Sequence, residues 1–181
     1  KVLDYKAPRI LVDLIKRQEP DLIVRSVLDL GCGTGLVGTE LSNNCQNLEG
    51  IDLSKLMLEK AREKGVYNKL HNADILEYLG ERKLDFDYFF AADVFIYVGA
   101  LQDVFRLIKS RNKRPSKLVF STEHSTKHGF TLEKSGRYSH SKQYIDGLVK
   151  KFGCRMVHFS LNNLRKDNGT YLKGGMYIVQ F

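Results

Sequence analysis

The sequence predicts an α/β fold with a doubly wound, mostly parallel sheet of seven strands, a C-terminal antiparallel hairpin, and helices on both faces. Three observations lead to this prediction. Short apolar runs alternate with amphipathic segments along most of the 181 residues, as strands alternate with helices in such folds. The apolar run 27–30 leads directly into Gly31, Gly33 and Gly35 and then into an amphipathic run. Two strand-like segments separated by a polar turn end the chain, which predicts the hairpin.

The first half of the chain gives an opening helix followed by three strand–helix units. The opening helix has an apolar face and a proline, Pro8, in its first turn. Ser54 is a favourable N-cap residue for a later helix, and Gly65 is a favourable stop for it. Residues 86–91 are bulky throughout, as expected of a strand covered on both faces. The predicted helices are 8–18, 35–43, 54–65 and a short one after Asp74, and the predicted strands are 26–30, 48–52, 66–71 and 86–91.

The second half continues the alternation and then closes the sheet. Residues 122–139 are polar and contain Gly129 and Gly136, so we expect a loop or lid there. No composition shift or low-complexity tract divides the chain, which predicts one domain over residues 1–181. The remaining predicted elements are helices at 100–110 and 141–152, strands at 117–121, 155–161 and 171–181, and a turn at 162–169.

The glycine-rich turn predicts a binding site for a ligand that approaches bare backbone. It is not a phosphate-cradling loop, because the chain has no Gly-Lys-Ser or Gly-Lys-Thr. A G-x-G-x-x-G pattern spans Gly33, Gly35 and Gly38, but it leaves unexplained Asp29, whose carboxylate would repel a pyrophosphate and attract a cation. Asp52 follows the next strand, 21 residues after Gly31, where the acidic ribose ligand of a nucleotide site falls. The site therefore suits a ribose-bearing ligand that lacks phosphates and carries a positive group.

S-adenosylmethionine meets this description, and the chain resembles the class I S-adenosylmethionine-dependent methyltransferases, which have a Rossmann-like fold. Four motifs in the order and at the intervals of that family carry the resemblance over nearly the whole chain. They are Asp-Leu-Gly-Cys-Gly-Thr-Gly at 29–35, Gly-Ile-Asp-Leu-Ser at 50–54, Asn-Ala-Asp-Ile at 72–75 and Phe-Asp-Tyr-Phe-Phe-Ala-Ala-Asp-Val at 86–94.

The resemblance implies S-adenosylmethionine as the cofactor and assigns residues to it. Asp52 would take both ribose hydroxyls, Asp74 would accept from the adenine amine, and Asp29 would accept from the ammonium directly or through water. The other assigned residues are Gly31, Cys32, Gly33 and Gly35 along the methionyl part, Leu53, Met57 and Ile75 at the adenine, and Ala92 and Asp93 after the fourth strand. Asp52 and Asp74 also suit plain helix caps, and Cys32 suits a small residue in a turn, so these alternatives stay open.

The methyl acceptor is expected to meet aromatic, basic and histidine side chains from the second half of the chain. Arg137 would pair a carboxylate or phosphate of the acceptor, and His140 is the best candidate for a general base. Tyr97, His124 and Tyr138 are the other candidates. Asp93 lacks the Pro-Pro-Tyr or Pro-Pro-Phe context of enzymes that methylate nucleic-acid bases or glutamine amides, which favours a small-molecule acceptor. A solvated loop around Arg137 and His140 is the alternative.

A narrower resemblance is to the bacterial methyltransferases that are joined to tetratricopeptide repeats. It depends on Tyr-Lys-Ala-Pro at 5–8, Asp-Val-Phe-Ile-Tyr-Val-Gly at 93–99 and Ser-Gly-Arg-Tyr-Ser-His-Ser at 135–141. The chain contains no 34-residue helical repeat, so only the methyltransferase domain would be represented. We expect the protein to continue upstream of Lys1, with a segment that closes over the cofactor and a possible repeat region or partner.

Composition restricts the remaining classes of function. The net charge of +8 would suit a nucleic-acid partner, but the basic residues are scattered except at 109–114, where no aromatic residues interleave them. No apolar run approaches a membrane span and no signal peptide is visible. Three cysteines without metal-site spacing fit free thiols in a cytoplasmic protein with no metal. RNA or protein methylation, a non-catalytic cofactor-binding module and an NAD-dependent oxidoreductase stay as alternatives.

Overall fold

The computed structural model describes residues 6–19, 24–167 and 170–181. Within them the chain forms a single sheet with helices on both faces. The helices are α1 (Ala7–Gln18), α2 (Leu36–Leu41), α3 (Lys55–Glu63), α4 (Ile75–Glu81), α5 (Gln102–Arg111) and α6 (Lys142–Lys151). The strands are β1 (Val24–Leu30), β2 (Cys45–Asp52), β3 (Lys69–Asn72), β4 (Tyr88–Ala91), β5 (Lys117–Ser125), β6 (Phe130–Leu132), β7 (Tyr138–Ser141), β8 (Arg155–Asp167) and β9 (Thr170–Gln180).

The strand order places a topological switch at the centre of the sheet. The path β3-β2-β1-β4-β5 is parallel throughout. Strand β9 runs antiparallel beside β5, and β8 pairs with β9. Because β1 has β2 on one side and β4 on the other, the chain reverses direction across the sheet at β1. Ligands of such sheets bind outside the carboxyl ends of the strands at this point.

Side chains of the central strands point alternately to the two faces of the sheet and pack into two separate hydrophobic cores. Leu28 and Phe89 lie in the core under α4, α5 and α6, whereas Val27 and Phe90 lie in the core under α1 and α2. This is the two-residue period of a strand covered on both faces. By the same alternation Asp29 projects to the side of α1 and α2, where it is only 1% exposed.

The segment 122–139 is not the loop that we expected. Strand β5 continues to Ser125, and β6 and β7 form an antiparallel hairpin whose second strand pairs with the end of β5. Thr122, Glu123 and Ser139 are polar but buried, because the sheet supplies the hydrogen bonds that their backbone needs. The prediction of a loop from the polar composition of this segment is therefore wrong, since the segment contains strands. The described residues accordingly contain nine strands instead of seven.

The turn expected at 162–169 is also mostly strand. Strand β8 reaches Asp167 and β9 begins at Thr170, so the two form a long ribbon that leaves Asn168 and Gly169 outside the described residues. Tyr5, on which part of the narrower resemblance depends, also lies outside them. No helix in the described ranges is long and apolar enough to cross a membrane.

Candidate active site

A cavity of about 940 Å³ opens at the carboxyl ends of β1, β2 and β4. This volume is at the upper end of the range of about 300–1,000 Å³ for small-molecule sites, so it can hold more than one small reactant. Most of the residues that the sequence assigned to a cofactor or acceptor line it. They are Asp29, Gly31, Cys32, Gly33, Asp52, Leu53, Met57, Asp74, Ile75, Ala92, Asp93, Tyr97 and Arg137.

The glycine-rich turn forms one wall through backbone angles that favour glycine. Gly31, Gly33 and Gly35 have φ values of +65°, +54° and +81°, where a Cβ is strained. A Cβ on Gly31 would also stand 2.2 Å from Cγ2 of Val94, whereas one on Gly33 would meet no atom within 4 Å. Gly31 is therefore required by the contact between the ends of β1 and β4, and Gly33 keeps open space beside the cavity.

Asp52 fastens the glycine-rich turn to the end of β2. Its Oδ2 accepts from the Gly33 N–H at 2.8 Å, and its Oδ1 accepts from the Ser54 N–H at 2.8 Å. The N-cap of α3 is instead Ser54, whose hydroxyl accepts from the Met57 N–H. Each carboxylate oxygen retains a second acceptor site, so Asp52 can also receive ribose hydroxyls from the cavity that it lines.

Asp74 has the cap role that the sequence left open. Its Oδ1 accepts from the backbone N–H groups of Leu76 and Glu77 at 2.8 and 3.2 Å. The same residue lines the cavity, so the cap fixes the carboxylate without removing it from a ligand's reach. Capping and ligand binding are therefore compatible at this position.

Asp29 is a carboxyl group held out of water at the base of the cavity. Its Oδ2 accepts from the Tyr67 hydroxyl at 2.7 Å. Burial raises the pKa of Asp29 to about 7, the Tyr67 hydrogen bond lowers it, and the negative charge of Asp52 raises it further. Burial, together with the charges of Asp29 and Asp52, also raises the pKa of the Cys32 thiol. Cys32 is therefore a neutral thiol, as a small turn residue would be.

Asp93 is the one described residue other than glycine with a positive φ, at 57°. Its N–H donates to the Ser121 hydroxyl at 2.8 Å, and the residue lines the cavity. Left-handed backbone in a non-glycine residue is uncommon and is frequent at binding sites. The strain therefore falls where the fourth strand meets the cavity.

Tyr97 and Arg137 line the same cavity and come from the second half of the chain, after β4. The Tyr97 side chain is 64% exposed, and Arg137 is half-buried. Arg137 forms no ion pair with any described side chain. It is also the one cation among the described residues that line the cavity, beside four aspartates.

His140 does not reach the cavity, which does not support its expected role as a base. The ring is fully buried, and its Nε2 lies 3.1 Å from the Val98 carbonyl oxygen and 2.9 Å from that of Gly99. Both partners are acceptors, so Nε2 carries the proton and donates. Burial lowers the pKa of His140, against an opposing effect of these two hydrogen bonds. The ring thus fixes the backbone just after Tyr97.

Three other assigned residues also lie behind the cavity wall. A Cβ on Gly35 would collide with the Tyr67 ring at 2.8 Å, so Gly35 faces inward. The Tyr138 ring packs against Gly99, and the His124 ring lies near Phe159. Neither His124 nor Tyr138 is among the residues that line the cavity.

Tyr67 is the residue that the sequence analysis missed. The sequence pattern predicts Tyr67 in the third strand and gives it no role, but its hydroxyl donates to Asp29 and its ring lies beside Gly35, Gly38 and Gly50. Gly38, the third glycine of the G-x-G-x-x-G pattern, therefore makes room for the Tyr67 ring. Small residues at 38 and 50 were the available indication that a bulky side chain enters there.

No group of three or more metal-binding side chains occurs in the described ranges. The polar groups that the described lining presents to a ligand include its carboxylates, the glycine backbone, Tyr97 and Arg137.

The comparisons with known proteins agree with this geometry. Residues 27–113, just under half of the chain, match the family described as "Methyltransferase domain". Methyltransferase-like protein 27 of Homo sapiens is 41% identical over 68 residues, which are 36% of this chain and 28% of that protein. Magnesium-protoporphyrin O-methyltransferase of Rhodobacter capsulatus is 31% identical over 120 residues, 62% of this chain and 51% of that protein. The chain thus spans about half or less of the length of these relatives.

The fold has close structural counterparts. The N-methyltransferase NodS from Bradyrhizobium japonicum, solved with S-adenosyl-L-homocysteine, superposes with a TM-score of 0.75 at 17% identity, covering 98% of this chain and 88% of that one. The fold is therefore that of the class I S-adenosylmethionine-dependent methyltransferases, and residues 27–113 are similar to the methyltransferase-domain family. The prediction of this class of fold, and of S-adenosylmethionine as the cofactor that goes with it, is confirmed. The subgroup joined to tetratricopeptide repeats stays a prediction.

The residues present fit this cofactor. Open space at Gly33 admits a ligand against bare backbone. The carboxylates of Asp29, Asp52 and Asp74 all face one cavity, and they match an ammonium, a pair of ribose hydroxyls and an adenine amine in chemical type.

Proposed function

We propose that this chain transfers a methyl group from S-adenosylmethionine to a small, anionic acceptor. The observation that carries the proposal is that the glycine-rich turn, the aspartates beside it, Tyr97 and Arg137 all line one cavity. A cofactor on the turn and an acceptor beside Tyr97 would then share a single space. Such proximity is what a displacement between two bound reactants requires.

The residues of the turn would bind and orient the cofactor. Asp52 would hold the ribose hydroxyls while its two backbone hydrogen bonds keep it from rotating. Asp29 would accept from the ammonium, and Asp74 from the adenine amine next to Ile75. When bound, S-adenosylmethionine supplies an activated methyl group on a sulfonium. Because the donor is already activated, positioning of the acceptor in line with it would provide most of the rate.

Arg137 would select the acceptor by charge. A half-buried guanidinium without an acidic partner among the described side chains favours a carboxylate or a phosphate, since its planar donors bind either in pairs. Tyr97 would contact the body of the acceptor. No histidine lines the described part of the cavity, so an acceptor with a tightly held proton would have to use Tyr97, a carboxylate or its own ionisation.

A small molecule is favoured over a nucleic acid. The residues after Asp93 are Val94 and Phe95 in place of two prolines, and aromatic stacking platforms beside the basic cluster at 109–114 are lacking in the sequence. Two of the compared proteins are by name an O-methyltransferase and an N-methyltransferase, so both atoms are candidates. Binding of tRNA that falls steeply with salt would favour the nucleic-acid alternative.

Calorimetry with S-adenosyl-L-homocysteine tests the cofactor half of the proposal. We expect S-adenosyl-L-homocysteine to bind and NADH not to bind, because the carboxylates that line the cavity would repel the pyrophosphate of NADH. Tight NADH binding would make the chain an oxidoreductase instead. Cofactor binding without methyl transfer to any member of a panel of carboxylates, phosphates and neutral controls would favour the non-catalytic module.

Arg137→Gln tests the acceptor half once a substrate is found in the panel. We expect the KM for an anionic acceptor to rise at least tenfold while the Kd of S-adenosyl-L-homocysteine stays within twofold. Arg106→Gln is the control, because Arg106 is exposed, pairs with Asp103 and lies outside the cavity. An equal loss of cofactor affinity in Arg137→Gln would mean that Arg137 holds the carboxylate of the cofactor, and the anionic acceptor would be withdrawn.

A further inference from the structure

The Tyr67 side chain occupies a slot made by three glycines around the cofactor side of the cavity. Idealised Cβ atoms on Gly35, Gly38 and Gly50 would stand 2.8, 2.5 and 2.9 Å from atoms of its ring. Real Cβ atoms do not approach so closely, so each of these positions accommodates the ring only as glycine. These glycines come from the turn, from α2 and from β2, and the ring therefore packs against all three elements.

The Tyr67 hydroxyl links two functional parts of the site. It donates to Oδ2 of Asp29 at 2.7 Å and accepts from the Gly38 N–H at 3.2 Å. Gly38 lies in the first turn of α2, where backbone N–H groups have no partner within the helix. One hydroxyl therefore joins the end of β1 to the start of α2, the two elements that flank the glycine-rich turn.

We propose that Tyr67 is a positioning residue of the cofactor site, which holds Asp29 in place and keeps its charged form available for the cofactor's ammonium at neutral pH. This proposal rests on the proposed binding of S-adenosylmethionine. Tyr67 would not touch the reacting atoms. Its effect would pass through Asp29 and would therefore depend on pH, which a purely structural role would not.

The electrostatic surroundings of Asp29 explain why this hydrogen bond matters. Burial holds the pKa of Asp29 at about 7, and the charge of Asp52 acts in the same direction. Cys32 is a neutral neighbour, and Asp93 adds a further acidic group on the cavity. Burial and Asp52 both favour the protonated carboxyl, whereas the hydrogen bond from Tyr67 lowers the pKa of Asp29 and favours the charged carboxylate. Its removal would leave Asp29 mostly protonated at neutral pH, and a protonated carboxyl is a poor partner for an ammonium.

Tyr67→Phe removes the hydroxyl and leaves the ring in its slot. A hydrogen bond to a charged group corresponds to a pKa shift of about one unit or more. With a shift of one unit, the loss of affinity for S-adenosyl-L-homocysteine relative to the unaltered protein would be about ninefold at pH 6, about threefold at pH 7.5 and under twofold at pH 8.5. Calorimetry across this range measures the ratio directly.

Tyr88→Phe is the matched control. The Tyr88 hydroxyl also donates to a carboxylate, Glu19, at 2.7 Å, but at the opposite end of the sheet. We expect its affinity ratio to stay near one at every pH. The carbon-13 shift of the Asp29 carboxyl supplies a readout without cofactor: it should titrate near pH 7 in the unaltered protein and about one unit higher in Tyr67→Phe.

The outcomes separate this proposal from the one on which it rests. Failure of the unaltered protein to bind S-adenosyl-L-homocysteine would overturn the cofactor site itself. Normal binding with a Tyr67→Phe ratio that does not change with pH would overturn the positioning role alone. If Tyr67→Phe does not fold, titration of Asp29 near pH 4 in the unaltered protein would still overturn it.

Discussion

The glycine-rich turn offers a paired perturbation in which two similar substitutions should fail in different ways. Gly31 and Gly33 both have left-handed backbone, with φ of +65° and +54°. A Cβ on Gly31 would meet Val94 at 2.2 Å, whereas one on Gly33 would meet nothing within 4 Å. We therefore expect Gly31→Ala to damage the fold and Gly33→Ala to damage the cavity.

The magnitudes follow from the two contributions. The left-handed backbone costs an alanine about 1–2 kcal/mol at either position. Overpacking against Val94 adds about 1–3 kcal/mol at Gly31 alone. The free energy of unfolding should thus fall by about 2–5 kcal/mol in Gly31→Ala and by about 1–2 kcal/mol in Gly33→Ala. Affinity for S-adenosyl-L-homocysteine should fall at least tenfold in Gly33→Ala, since the added methyl group occupies ligand space.

Urea denaturation and calorimetry on the same preparations give both quantities. Equal destabilisation by the two substitutions would show that the contact with Val94 is not what requires Gly31. A folded Gly33→Ala variant that binds S-adenosyl-L-homocysteine with unaltered affinity would refute the placement of the cofactor against the turn.

Substitutions at three further side chains test their individual roles. Asp52→Ala should weaken the binding of S-adenosyl-L-homocysteine at least tenfold, because it removes the acceptor for the ribose hydroxyls and leaves the N–H groups of Gly33 and Ser54 without their partner. An unchanged Kd in calorimetry would contradict the assignment of Asp52 to the ribose. His140→Ala should lower kcat/KM for the acceptor and leave cofactor affinity intact, and His140→Gln should restore activity, since its amide can donate to the same carbonyls; equal losses in both would contradict a hydrogen-bonding role. The folded His140 resists protonation, so its contribution to stability is present above pH 6.5 and is lost as the pH falls; His140→Gln should flatten that acid slope in urea titrations. Asp29→Asn should raise stability at pH 8, because a raised folded pKa means that the stabilising contribution of Asp29 is lost as the pH rises through 7, but should weaken cofactor binding; a variant that loses both would contradict this account.

The part of the site that follows single strands could be predicted from the sequence. Asp29, Asp52 and Asp74 each end an apolar run or begin a helix, and the carboxyl ends of parallel strands meet at one edge. Their convergence on the cavity therefore needs no knowledge of tertiary contacts. The fold class follows in the same way from the alternation of apolar and amphipathic segments.

The part that depends on packing between distant segments could not be predicted. Thr122, Glu123 and Ser139 are polar, which predicts a loop, although pairing between β5 and β7 buries them. His140, which was expected to face the acceptor just before the last predicted helix, is consequently buried in the interior. Tyr67 has no motif of its own, because its role arises from contacts with glycines up to 32 residues away in the sequence.

Charged side chains at the amino ends of the strands form ion pairs, whereas a buried carboxyl group and a strained backbone residue lie at the carboxyl ends. This contrast supports the location of the site independently of any likeness to other proteins. At the amino ends of the strands, Glu19 meets both Lys117 and the Tyr88 hydroxyl, and Arg114 pairs with Asp85 and Asp87.

At the carboxyl ends, Asp29 is buried with a raised pKa and Asp93 has left-handed backbone. Left-handed backbone in a residue such as Asp93 costs about 1–3 kcal/mol and persists where the surrounding structure enforces it, and burial of the Asp29 carboxylate is a further cost. The charged groups named at the amino ends are paired with opposite charges, whereas the unfavourable burial of Asp29 and the strained backbone of Asp93 lie at the carboxyl ends. A ligand bound there can offset the free-energy cost of both features. A ligand ammonium beside Asp29 would do so, and stability should then rise by about 2.7 kcal/mol at a ligand concentration of 100 Kd.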